Sequence, residues 1–88
     1  MARYSLRIKP SAARELETIG TKADRRRLIA RIGRLAADPR PPGCMKLTRR
    51  ALYRVRQGRY RIVYEVLDTE LVVLVVRVAD RRDAYAGL

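Results

Sequence analysis

Eighty-eight residues make a single domain, 1–88, because a second hydrophobic core would have too few residues to close. The 21 Lys and Arg against 9 Asp and Glu leave a net charge of +12. That excess costs self-repulsion in the folded state and steers the chain toward polyanions: RNA, DNA, ribosomes or an acidic protein. With no histidine and one cysteine, the chain lacks Ser–His and Cys–His nucleophile pairs, metal-site spacings and an internal disulfide framework.

In chain order, Tyr4, Leu6 and Ile8 alternate with Ser5, Arg7 and Lys9, a half-buried first strand. This alternating start is not a signal peptide, and no apolar run approaches the roughly 20 residues that span a bilayer, so the expected location is the cytoplasm. Pro10 ends the strand and Ser11 is placed to cap a short helix carrying Ala12, Leu16 and Ile19, which stops at Gly20. Thr21 and Asp24 have capping-box spacing, with Asp in place of the usual Glu. Leu28, Ile32 and Leu35 then form an i, i+4, i+7 stripe, so a second helix runs to about Ala37. Around that stripe, Arg25, Arg26, Arg27, Arg31 and Arg34 solvate the helix or touch RNA phosphates. The loop with Pro39, Pro41, Pro42 and Gly43 leads to Cys44, which reads as an inert small residue because no histidine exists to activate it.

From Ala51 to Tyr85 the chain reads ALYRVRQGRYRIVYEVLDTELVVLVVRVADRRDAY. This is three consecutive strands, separated by Gln57-Gly58-Arg59 and Asp68-Thr69-Glu70 at hairpin-loop length. Tyr60, Ile62, Tyr64 and Val66 share one face of their strand; Arg61, Val63, Glu65 and Leu67 share the other. Leu71 to Val76 is six apolar residues, which predicts a strand buried on both faces and central in the sheet. The expected fold is α+β: two N-terminal helices packed on a small, curved, mainly antiparallel sheet, in the order β-α-α-β-β-β.

Arg54 and Arg56 lie two apart on one strand and project from one face. Arg61 follows a short turn and lies beside them, Arg81 comes just after the fourth strand ends near Val78, and Tyr85 lies four residues further on. On a curled sheet these five side chains converge on a basic surface wide enough for one RNA strand. Taken singly, each has a bland reading: an arginine on a strand face is usually a solvated or edge-protecting charge. Arg82 and Asp83 read as surface pairings, and Tyr53, Tyr60 and Tyr64 as packing residues.

The run LYRVRQGRYRIVYE, the apolar strand after it and VADRRDAY together resemble the RelE/ParE superfamily of bacterial toxin–antitoxin toxins. Within it the chain looks most like RelE, the ribosome-dependent messenger-RNA endonuclease. The resemblance implies a RelE-like fold and a metal-independent, cofactor-free endoribonuclease that cuts messenger RNA in the ribosomal A site. It further implies a RelB-like antitoxin partner in a hetero-oligomer. Metal-free cleavage needs the 2′-hydroxyl deprotonated, the dianionic transition state neutralised and the leaving 5′-oxygen stabilised; guanidinium groups suit the second task. Carried over by residue, Arg61 and Arg81 match phosphate-binding arginines, and Tyr85 matches a tyrosine that acts as general base or stacks on the substrate. Arg54 and Arg56 stand where relatives often carry lysines, which keeps the charge and weakens proton transfer. Arg59, Arg82 and Lys46 are further RNA-contact candidates. Asp80 stands where relatives commonly show His or Lys; it lowers the local positive potential and is expected to pair with Arg82. Two rival expectations share the fold: a ParE-type inhibitor of DNA gyrase, and a non-catalytic RNA- or ribosome-binding relative.

Overall fold

The alternating residues after Tyr4 form β1 (Ser5–Ile8) in a computed structural model that describes residues 3–47 and 51–85. Helix α1 spans Pro10–Glu17, and its N-cap is Lys9, not Ser11. Proline takes the first helical position because its fixed φ suits the helix and its missing N–H would have no partner there. The helix also ends earlier than Gly20: Thr18 is the C-cap, and its hydroxyl donates to the Glu15 carbonyl at 2.7 Å. Helix α2 (Lys22–Leu35) begins where expected, with the Thr21 side chain accepting the Asp24 N–H at 3.1 Å, and stops two residues before Ala37.

After the proline loop come β2 (Met45–Lys46), β3 (Leu52–Gln57), β4 (Tyr60–Leu67) and β5 (Val72–Asp80). They form one five-stranded sheet in the order β1-β5-β4-β3-β2, antiparallel except where β1 runs parallel to β5. The architecture is the expected α+β layer pair with one additional two-residue edge strand, β2. Among the described residues no helix is long and apolar enough to cross a membrane. Met1 and Ala2, and residues 86–88 of the expected C-terminal turn, lie outside the described residues.

The core lies between helices and sheet. Ala12 and Leu16 of α1 and Leu28, Ile32 and Leu35 of α2 meet Val55, Ile62, Tyr64, Val66, Val73, Val75 and Val78. Burying each large aliphatic side chain here contributes about 1.5–3 kcal/mol. The Tyr64 hydroxyl donates to the Pro39 carbonyl at 2.7 Å, which pins the proline loop to the sheet. Burial pushes that phenol above its ordinary range.

Three expectations for the last strand need correction. Leu71 lies in the turn before β5, at φ 53°, and the middle strand of the five is β4, with β5 between it and β1. Only one face of β5 is fully covered, so Leu74 and Val76 are half-buried. The pairing also slips between Val63, opposite Arg77, and Tyr64, opposite Val75, leaving Val76 as an extra residue on β5. This bulge lets Val75 and Val78, three apart, both face the helices. It thereby turns Arg77 and Ala79 to the opposite face, where Arg61 and Val63 lie. Past Ile8, β1 no longer covers the β5 edge, and Glu15 of α1 takes over by accepting the Val78 N–H at 3.0 Å.

Candidate active site

The face of the sheet away from the helices carries the arginines. Arg54 pairs across β3–β4 with Val63, and Arg56 pairs with Arg61, so all three arginines share this face as the period of two predicts. The tip between them is a two-residue turn, Gly58-Arg59, closed by the Gln57–Tyr60 pair. Gly58 has φ 59° and Arg59 has negative φ, which makes this a type II′ hairpin turn with glycine at its first central position. The chain leaves β5 at Asp80 and turns back over the same face: Ala84 is fully buried, and the Asp83 carbonyl accepts Arg77 Nη1 at 3.3 Å. This turn carries Arg81 and Tyr85 to the sheet arginines.

Arg56, Gly58, Tyr60, Arg61 and Arg81 line one pocket of about 150 Å³. The Arg61 guanidinium lies over the Tyr85 ring, 5.3 Å from its centroid. Arg56 directly opposite Arg61 is a like-charge cross-strand pair, which costs about 0.2–1 kcal/mol and stabilises nothing in the fold. The buried Nε of Arg61 has no hydrogen-bond partner, and neither has the buried Nε of Arg54. Arg54 is only 6% exposed, and its Nη2 reaches no better acceptor than Met45 Sδ at 3.5 Å. The site is thus a set of guanidinium groups held together with donors to spare, an arrangement that accepts phosphate oxygens.

Of the expected residues, Arg56, Arg61, Arg81 and Tyr85 come together, and Arg54 lies beneath the same surface as a buried charge. Lys46 does not join them. It pairs with Tyr53, which packs on the core, so its register places it on the helix side of the sheet. Asp80 departs from its expected partner as well. Its Oδ2 accepts Nε and Nη2 of Arg59 at 2.8 and 2.6 Å, while Arg82 gives it only a backbone N–H at 3.2 Å. Those contacts, the Arg59 side chain first, hold the Asp80 carboxyl below the usual carboxylate range and raise Arg59. The reason is register: Tyr60 is opposite Asp80, which brings the adjacent Arg59 to it, whereas Arg82 lies beyond the end of β5. Arg59, Asp80, Arg81 and Arg82 line a second pocket of about 320 Å³ beside the first.

A separate polar cluster ties the far end of the sheet together. Arg40 donates to both Asp68 oxygens at 3.2 and 2.8 Å and to the Tyr53 hydroxyl at 3.0 Å, while the Tyr4 hydroxyl donates to Asp68 at 2.6 Å. Its role is to fasten β1, the proline loop and the β4–β5 turn. Among the described residues, no three His, Cys, Asp or Glu side chains converge as metal ligands would.

Comparison with solved structures gives the same fold. A chain of an archaeal RelE–RelB complex from Pyrococcus horikoshii superposes with a TM-score of 0.81 at 28% identity, covering 96% of this chain and 100% of that one. A chain of the RelBE toxin–antitoxin complex of E. coli gives 0.75 at 25% identity, covering 88% and 95%. One from a Mycobacterium tuberculosis RelBE complex gives 0.78 at 24% identity, covering 90% and 99%. Among curated protein sequences none matches significantly. The family model described as the ParE toxin of the type II toxin–antitoxin system, parDE, matches residues 6–85. The chain therefore belongs to that family of type II toxins, within the RelE/ParE superfamily, and its fold is RelE-like.

Proposed function

We propose that this toxin is an endoribonuclease that enters the ribosomal A site and cuts the bound messenger RNA. The observation that carries the reading is the convergence of Arg56, Arg61 and Arg81 on one pocket with the Tyr85 ring set against Arg61. In the proposed reaction the ribose 2′-oxygen attacks the adjacent phosphorus while Tyr85, acting as the phenolate, takes its proton and becomes the neutral phenol. The P–O5′ bond breaks, leaving a 2′,3′-cyclic phosphate on one fragment and a 5′-hydroxyl on the other, with the 5′-oxygen taking its proton from water. Arg61 and Arg81 neutralise the dianionic transition state, where preorganised donors are worth most. Arg56 adds charge without moving a proton, since guanidinium groups stay protonated at neutral pH. The reaction uses no metal ion and no cofactor, because the arginines supply the charge a metal would bring.

The solved relatives from Pyrococcus horikoshii and E. coli are complexes with RelB antitoxins. By likeness to them, this chain is held inactive in the cytoplasm by a small RelB-like antitoxin. Its +12 charge makes an acidic antitoxin segment a fast-associating partner. The test is primer extension on a defined messenger held in ribosomes, in EDTA-free buffer, beside the same RNA free in solution. A new 5′ end at the A-site codon, present only with ribosomes and lost in Arg81→Ala, is the expected result. Intact RNA in every tube would sink the proposal.

The family model's own description as a ParE toxin favours a second reading, inhibition of DNA gyrase through protein contacts. Overexpression separates the two: a nuclease halts protein synthesis first, a gyrase inhibitor halts DNA replication first.

A further inference from the structure

The Arg59 side chain is tied up by a carboxylate. Its Nε and Nη2 both donate to Asp80 Oδ2. Its own carbonyl accepts the Arg81 N–H at 3.0 Å, and Asp80 Oδ1 accepts the Arg82 N–H. The guanidinium is therefore fastened to the C-terminal turn through both side chain and backbone. It also lies over the Tyr60 ring, 5.8 Å from the centroid, yet the side chain remains 68% exposed.

A cation that served only to hold phosphate would gain nothing from this carboxylate, which cancels its charge and competes with the ligand. What the carboxylate supplies is a fixed plane. A guanidinium clamped along one edge near an aromatic ring, with its side chain 68% exposed, offers a flat and weakly hydrated surface. Nucleobases stack on such planes. The position fits as well: Arg81 lines both the pocket of about 150 Å³ and the adjoining one of about 320 Å³ that holds Arg59 and Asp80. Asp80 occupies the Nε and Nη2 edge of Arg59, so the flat face of the guanidinium, not that edge, is what a strand whose phosphate enters the first pocket meets.

The geometry points to a nucleobase subsite: the Tyr60–Arg59 stack, locked by Asp80, receives the base of a nucleotide neighbouring the phosphate held by Arg56, Arg61 and Arg81. This rests on the RNA reading above and adds to it the chemical class of a second subsite. Because every base has a π face, the subsite tolerates any sequence.

The experiment measures affinity at fixed low salt for a tetraribonucleotide and for the matching ribose–phosphate chain without bases, using wild type and Arg59→Lys. Lysine keeps the charge and loses the plane. Tyr85 offers a second ring on which a base can stack, so the quantity read is the coupling between Arg59→Lys and base removal. The expected result is about a tenfold loss for Arg59→Lys on the base-bearing chain and no loss on the chain without bases. Asp80→Asn, which keeps the shape and frees Arg59, should bind the baseless chain more tightly and show a smaller preference for bases. Equal losses on both chains for Arg59→Lys would make Arg59 an ordinary phosphate ligand, overturning the subsite and leaving the RNA reading intact. A wild type that binds neither chain would overturn the subsite, while the RNA reading stands or falls separately on cleavage of ribosome-held messenger.

Discussion

The Arg61 guanidinium lies over the ring of Tyr85, 5.3 Å from its centroid, joining the middle strand of the sheet to the last described residue of the chain. The contact is made by the ring, so the hydroxyl is separable from it. Tyr85→Phe keeps the ring against Arg61 and removes the group proposed to take the 2′-proton. Single-turnover cleavage of ribosome-held messenger should fall about 10²-fold or more, with ribosome affinity unchanged. Cleavage within a few-fold of wild type would reduce Tyr85 to a stacking and packing residue.

Arg54 should trade stability for function. The residue is 6% exposed, and among the described residues its Nε has no acceptor while its Nη2 reaches Met45 Sδ at 3.5 Å. Replacing a poorly compensated buried charge with an apolar group of similar shape is often stabilising. Arg54→Met is therefore expected to raise unfolding stability by about 1–3 kcal/mol in urea titration. Added inorganic phosphate should stabilise wild type more than the variant, because wild type has unfilled donors on both Arg54 and Arg61 and the variant keeps only that of Arg61. A lower urea midpoint for Arg54→Met would mean that the guanidinium is structurally satisfied after all.

Much of this arrangement is legible in the sequence wherever a period is present. Tyr60, Ile62, Tyr64 and Val66 alternate, and the same count of two places Arg54, Arg56 and Arg61 together on the other face. Three features leave no such trace. Val76 sits in an uninterrupted apolar run, so nothing in its neighbours marks it as the bulge that turns Arg77 away from the core. Met45–Lys46 is too short to show any period, and only pairing with β3 makes it a strand. The partner of Asp80 depends on the β4–β5 register, which brings Arg59 to it from 21 residues away, whereas adjacency in sequence favours Arg82.

Acid should weaken the far end of the sheet through Asp68. Hydrogen bonds from Arg40 first and Tyr4 second hold its carboxyl down to about 2. A carboxyl depressed in the folded state stabilises the fold above its unfolded value of about 3.9, and that contribution is lost as pH falls toward 2. Asp68→Asn keeps the shape and cannot titrate. The gap in Tm between wild type and Asp68→Asn should be constant from pH 5 to 7 and close between about pH 4 and 2. A gap that persists at pH 2 would show that the network acts through hydrogen bonding alone. Asp80, also depressed by Arg59, is present in both proteins and cancels from the difference.

Two turn residues with positive φ should respond in opposite directions to a change at Cβ. Gly58 has φ 59°, and a Cβ built there meets nothing within 4 Å, so any cost of Gly58→Ala is backbone strain and not a clash. That cost is about 1–2 kcal/mol, and relief of it would re-aim Arg59, the next residue. Leu71, at φ 53° and 40% exposed, already carries a penalty of the same kind. Leu71→Gly removes the strain but adds unfolded-chain freedom, for a net gain of about 0.5 kcal/mol. Urea titration of both variants reads the pair. A stable Gly58→Ala would require the β3–β4 tip to have changed turn type, and its RNA cleavage should then fall even though no arginine has been replaced.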